Sequence, residues 1–185
     1  EQAKLLCRIQ EGFEHLATVK STLEKASYLK EMLKWDEDIV QDILCYGLNP
    51  FIVYGVMEEP PAGASISGLV QHTPTYTEMR RILDILRKRE KTGNAARSEC
   101  FAFYRLCNQY HKIKTLFRNI LAKDFRCGVG VKLANSIFKN PFIPTFNTML
   151  AAQGKAVDIN FESNTRWYAE PKIDGLRCIV KMCED

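Results

Sequence analysis

The sequence predicts a mainly α chain that ends in a short β segment. Its 185 residues are 46% apolar and 26% charged, a balance typical of a globular protein with a hydrophobic core. Apolar residues recur at helical spacing through most of the first part. Near the end, aromatic and β-branched residues flank an Asp-Gly turn, which indicates strand, turn and strand. We therefore predict a helical domain over 1–140, a connector over 141–165, and the truncated start of a second domain over 166–185.

The first half of the chain predicts helices followed by a long loop. Asp36 is placed to cap a helix that Gly47, Asn49 and Pro50 would end. Residues 57–77 are rich in Pro, Gly, Ser and Thr, which indicates a surface loop. The helical pattern that precedes Asp36 runs through six apolar residues: Leu16, Val19, Leu23, Leu29, Met32 and Leu33.

Residues 77–140 predict three amphipathic helices and a shorter fourth one around Lys132. Thr77 opens the first helix, the turn at 91–94 ends it, and Asn94 is placed to cap the second. Four basic residues point outward from the third helix: Lys112, Lys114, Arg118 and Lys123. Five aromatic residues fall mostly at core spacing and are expected to pack inside instead of stacking on bases: Phe101, Phe103, Tyr104, Phe117 and Phe125.

The net charge of +4 is unevenly distributed along the chain. Residues 1–76 hold 6 basic and 11 acidic side chains, and residues 141–185 hold 5 basic and 6 acidic ones. Residues 77–140 hold 15 basic and 5 acidic side chains, a net charge of +10. Such a block suits a polyanionic partner such as nucleic acid. A solvated basic helix surface is the alternative that charge alone leaves open.

Several classes of protein are disfavoured. No apolar run approaches the ~18 residues that a membrane span requires, and no secretory signal opens the chain. The seven cysteines have no spacing typical of a zinc site, so we expect reduced, mostly buried thiols in a cytosolic protein. We predict no metal ligands within these residues.

The segment at 172–177, Lys-Ile-Asp-Gly-Leu-Arg, predicts covalent chemistry. A neutral lysine amine can attack the α-phosphorus of a nucleoside triphosphate, and neighbouring cations or burial lower its pKa. The Asp-Gly pair favours a tight turn between two strands. Arg177 can bind phosphate or ribose oxygens through its planar guanidinium. A surface β-hairpin with a solvated lysine is the alternative interpretation.

This segment resembles motif I of the covalent nucleotidyltransferases, which are the ATP-dependent DNA ligases, RNA ligases and mRNA capping enzymes. The resemblance implies that Lys172 becomes adenylylated. It further implies that Glu170 contacts the adenine amino group, and that Arg177 contacts the nucleotide sugar or the nick phosphate.

Upstream stretches resemble the all-helical DNA-binding domain of ATP-dependent DNA ligases, phage type. They are the turn at 47–56, the turn at 91–96, the segment 120–130 with its Arg-x-Gly-Val step, and the segment 144–151. The resemblance covers residues 37–183. The later motifs of that family and its oligonucleotide-binding domain are absent. We therefore expect the N-terminal part of an enzyme, truncated within its nucleotidyltransferase domain and inactive alone.

Two loops in the basic block are candidate phosphate-binding sites. Glycine lets backbone N–H groups approach a phosphate closely where a helix begins, and neighbouring lysines add charge. The resemblance implies contacts across the minor groove on both sides of a nick. Plain helix caps are the alternative for either loop alone. The candidate DNA-binding residues are Lys91, Thr92, Gly93, Asn94, Arg126, Gly128, Gly130 and Lys132.

The resemblance also implies a reaction, cofactors and a partner. The parent enzyme would use ATP and Mg²⁺ to seal nicked double-stranded DNA in replication and repair. Lys172 would take AMP from ATP and release pyrophosphate. AMP would pass to the 5′-phosphate at the nick, and AMP would leave when the 3′-hydroxyl attacks. We expect a monomer in the cytoplasm, that of a bacterial host if the gene is phage-encoded.

Two other functions are kept open. One is a non-catalytic helical module that binds duplex DNA and has an incidental K-x-D-G sequence. The other is an RNA ligase or capping-type nucleotidyltransferase. Those enzymes usually place motif I near the N-terminus, whereas here a long helical region precedes it.

Overall fold

Seven helices form the described part of the chain, which comprises residues 1–56, 72–138 and 140–145 of a computed structural model. These residues belong to one compact unit, Glu1–Phe146. The mainly helical architecture is confirmed over them, whereas the predicted strands and the segment at 172–177 lie outside the described residues. The helices are α1 (Gln2–Thr18), α2 (Thr22–Leu33), α3 (Glu37–Leu48), α4 (Tyr76–Arg87), α5 (Gly93–Leu106), α6 (His111–Leu121) and α7 (Val131–Ser136).

The core is built around α1 and α6. Helix α1 packs against α2, α4 and α6, and α6 also packs against α3. Each of the two central helices buries one apolar stripe, because residues three and four apart share a helix face. The fully buried members are Leu6, Ile9, Phe13 and Leu16 of α1 and Ile113, Leu116, Phe117 and Ile120 of α6.

Side-chain caps determine where three of the helices begin. Asp36 caps α3 as predicted, because its carboxylate accepts a hydrogen bond from the Ile39 N–H at 3.0 Å. The prediction that Thr77 opens a helix is wrong by one residue. Helix α4 begins at Tyr76, since Thr75 and Glu78 form a reciprocal capping box in front of it.

The apolar pattern before Asp36 does not form one continuous buried stripe. The chain is extended at Val19 and Ser21, and the Ser21 hydroxyl accepts from the Glu24 N–H to start α2. Leu23 therefore lies in a first turn that faces solvent, and 84% of it is exposed. The predicted helical pattern is therefore divided between two helices, and the new helix start resets which face points inward.

Gly47 lies inside α3 and does not end it, so its predicted role is wrong. A Cβ at this position would lie 2.2 Å from the Phe125 ring, so the glycine lets that ring approach the helix. Phe125 in turn stacks on Phe13, with 4.2 Å between ring centroids. Phe103, Tyr104, Phe117 and Phe125 are buried and Phe101 is partly buried, which confirms the packing prediction.

The described cysteines are five free thiols. Burial raises the pKa of Cys100 to about 11 and that of Cys107 to about 12, so both thiols stay protonated at neutral pH. In the part of the chain that the structure describes, no helix is long and apolar enough to cross a bilayer.

Candidate nucleic-acid interface

Residues Lys91 to Asn94, which lead from the turn after α4 into the start of α5, are exposed. Gly93 has a φ of +55°, a left-handed conformation that glycine adopts without strain. The predicted cap at Asn94 is wrong, because α5 already begins at Gly93 and Thr92 occupies the cap position. The Thr92 side chain makes no cap hydrogen bond, so N–H groups in the first turn of α5 are available to a ligand.

Glu99 reduces the positive charge of this turn. Its carboxylate accepts hydrogen bonds from Lys91 and, at 3.2 Å, from Arg81. The bond from Lys91 holds the pKa of Glu99 below its ordinary value, so the carboxylate remains ionised. Only 17% of the Glu99 side chain is exposed, compared with 44% of Lys91. Lys91 is therefore present at the turn but partly neutralised.

The segment from Asp124 to Gly130 alternates between buried and exposed residues. Phe125, Cys127 and Val129 are buried, with 4%, 2% and 6% exposure. Arg126, Gly128 and Gly130, which lie between and after them, are exposed, and Lys132 is exposed just beyond. The structure thus places all four sequence-predicted residues of this loop at the surface.

Left-handed residues shape this loop. Gly128 has a φ of +69° and Arg126 a φ of +53°, and the Arg126 N–H donates to the Asp124 carboxylate at 2.8 Å. Helix α7, which follows, has only six residues. A helix so short adds little dipole field, so the loop itself must supply most of the attraction for an anion.

Lys25 is a functional candidate that the sequence did not reveal. Its Nζ donates to the Cys127 carbonyl at 2.6 Å, and a Cβ at Gly128 would lie 2.7 Å from the same nitrogen. The ammonium therefore adds a positive charge beside Gly128. Because 102 residues separate Lys25 from Cys127, no local pattern in the sequence could have indicated this contact.

Lys123 is not the outward-pointing lysine that helical spacing predicted. It is half-buried with a φ of +59°, and its Nζ donates to the Tyr46 carbonyl at 2.7 Å. The Tyr54 hydroxyl donates to the same carbonyl at 2.8 Å, so together they satisfy an acceptor in the last turn of α3. Burial lowers the pKa of Lys123 to about 8.

An open pocket of about 730 Å³ has two basic side chains in its lining. Arg97, which comes shortly after the first loop, and Lys123, which precedes the second, both line it. Its remaining lining is largely apolar and comes from residues 48–56 and the end of α6. The structure therefore combines two basic side chains with an apolar lining in one pocket.

The predicted catalytic and nucleotide-binding residues lie outside the described residues. They are Glu170, Lys172 and Arg177. Among the described residues, no group of three or more His, Cys, Asp or Glu side chains could hold a metal ion.

The fold resembles part of two solved ligase structures. The chain matches Pmar-Lig_Pre with 26% sequence identity and a TM-score of 0.57, and Pmar-Lig_PreS3 with 24% identity and a TM-score of 0.54. Each match covers 70% of this chain and 29% of the other, so the chain spans less than a third of either structure. No protein-family model and no curated protein matches the sequence. The chain thus has a ligase-like fold.

Proposed function

We propose that this chain is the N-terminal part of an ATP-dependent DNA ligase, and that its helical unit grips duplex DNA around a nick. The observation that supports the grip best is the exposure of Arg126, Gly128 and Gly130 in one loop, with the Lys25 ammonium bound to the same loop and Lys132 just beyond it. Phosphate oxygens accept hydrogen bonds from backbone N–H groups, from guanidinium groups and from ammonium groups. They carry no base-specific information, which suits an enzyme that must accept any nick.

Lys172 is the residue that would take AMP from ATP in this proposal. The K-x-D-G sequence at 172–175 and the likeness of the fold to ligase-named structures support the assignment. ATP would supply the adenylyl group, and Mg²⁺ would neutralise phosphate charge during the transfer. Arg177 would hold phosphate or sugar oxygens, and Glu170 would contact the adenine.

Equilibrium binding to nicked duplex, intact duplex and single-stranded DNA over a salt series tests the grip. We expect duplex binding with little sequence preference and a log–log salt slope of several units, because bound lysines and arginines release counterions from the phosphates. Lys132→Gln and Lys91→Gln should each reduce that slope, by up to about one unit for each phosphate that the variant no longer neutralises.

Lys4→Gln is the matched control, because Lys4 is an exposed lysine of α1 outside the basic block. It should leave the slope unchanged. If the chain does not bind duplex DNA at low salt, or if all three variants reduce the slope equally, the two loops are ordinary solvated surface and the proposed grip is wrong.

A further inference from the structure

Two large apolar side chains project from the segment that borders the pocket. Residues 51–56 alternate between exposed and buried, as an extended segment with one inward face does. Ile52 and Tyr54 point inward, with 6% and 4% exposure, whereas Phe51 and Val53 are 57% and 63% exposed. Adjacent apolar side chains on an outward face are typical of a binding surface.

Basic side chains lie near this apolar edge. The guanidinium of Arg89 lies against Gly55, where a Cβ would be only 2.5 Å from Nη1, so the missing side chain lets it approach. Arg97 lines the same pocket as Val53, as does Lys123, whose ammonium donates to the Tyr46 carbonyl. A complementary partner therefore combines apolar groups with anionic ones. The minor groove of DNA fits, because its two phosphate backbones flank walls of deoxyribose.

We propose that Phe51 and Val53 pack against deoxyribose in the minor groove, and that this contact makes the chain prefer DNA to RNA duplexes. The inference rests on the proposed function, since it assigns a further contact of the same DNA-binding surface. Deoxyribose presents a methylene at C2′, whereas ribose presents a hydroxyl on the shallow minor groove of an RNA duplex. An apolar side chain that covers this hydroxyl removes its water without offering a hydrogen bond.

The test compares the wild-type chain with Phe51→Ala/Val53→Ala on a nicked DNA duplex and on an RNA duplex of the same sequence. We expect the double variant to lose about tenfold in affinity for DNA and to change little for RNA. The salt slope should stay the same, because no charge is removed. Leu23→Ala is the matched control, as Leu23 is 84% exposed on α2 and should leave both affinities unchanged.

Thermal unfolding of each variant verifies that the fold is intact, and Phe51→Leu/Val53→Ile should keep wild-type affinity because both replacements remain apolar. Equal affinity of the wild type for both duplexes would overturn the inference, as would an unchanged DNA affinity in the alanine double variant. The inference would also be overturned if the wild type binds anionic phospholipid vesicles, the double variant does not, and both bind DNA equally well. That result would assign the edge to a membrane. If the wild type does not bind DNA at all, the proposed function itself is wrong.

Discussion

At the scale of single residues, the ion pairs of Glu99 determine how much charge the first loop offers to DNA. The same carboxylate accepts from Lys91 and Arg81, and it lies deeper than either partner. A phosphate near Lys91 must therefore compete with a fixed counter-charge. Because Lys91 and Arg81 are about half exposed, solvent weakens both ion pairs, and we expect that breaking them has a small effect on the fold.

Glu99→Gln should strengthen duplex binding by about threefold at low salt, because it frees the charges of Lys91 and Arg81 for phosphates. The salt slope should increase at the same time. Binding titrations over a salt series measure both quantities. Glu31→Gln is the control, since Glu31 is exposed on α2 and outside the basic block. Unchanged or weaker binding by Glu99→Gln would contradict a role for Lys91 in the grip.

At the scale of elements, Lys123 joins the end of α6 to the last turn of α3 through the Tyr46 carbonyl. Its pKa is lowered to about 8 by burial, below the ordinary value of 10.5. Below about pH 8 the lysine is protonated in both the folded and the unfolded chain, so the folded state carries the full free-energy cost of the half-buried ammonium. Between about pH 8 and 10.5 the unfolded chain binds more protons, so this group makes the folded state more stable as pH rises.

Lys123→Met should remove this dependence. The difference in free energy of unfolding, wild type minus variant, should rise by about 1 kcal/mol between pH 7.5 and 9.5, allowing for solvent screening of the half-exposed side chain. Urea denaturation at several pH values measures it. Burial raises the pKa of Tyr46 to about 12 and also raises that of Tyr54, so both stay protonated in this window and are common to the two proteins. A pH-independent difference would contradict the buried ammonium.

The helices were largely predictable from sequence, because the caps and apolar patterns that define them lie within each helix or next to it. Asp36 before an apolar stripe and the amphipathic pattern of α4 and α6 determine those elements within a few residues of themselves. The start of α4 does have a signal in the sequence, because Thr75 and Glu78 have the spacing of a capping box. The start of α5 is harder to predict, since Thr92 and Asn94 are both favoured cap residues and Thr92 makes no side-chain cap bond.

The candidate site was predictable only in its exposed residues. Arg126, Gly128 and Gly130 were found because glycine and arginine are informative at a loop before a helix. Lys25 and Lys123 were not, because their roles depend on contacts with residues 102 and 77 positions away. The sequence also did not indicate Phe51 and Val53 as the proposed binding edge, since only the structure shows which residues of their segment are buried.

At the scale of the whole molecule, the proposed binding and the proposed chemistry fall in different parts of the chain. The net charge of +10 lies within residues 77–140, whereas the K-x-D-G sequence begins at Lys172. Long-range attraction for a polyanion depends on the summed charge and little on one distant lysine. A DNA ligase would need both parts, but each should be removable without the other.

Lys172→Ala should therefore leave duplex affinity and salt slope unchanged. The same variant should abolish labelling by α-³²P-ATP, measured on a form of the protein that is labelled when Lys172 is present. The reason is that the amine is the sole acceptor of AMP in the proposed chemistry. Lys181→Ala is the matched control, since Lys181 lies only nine residues further along the chain and should keep the label. Label retained on Lys172→Ala would show that another residue accepts AMP and that the K-x-D-G lysine is incidental.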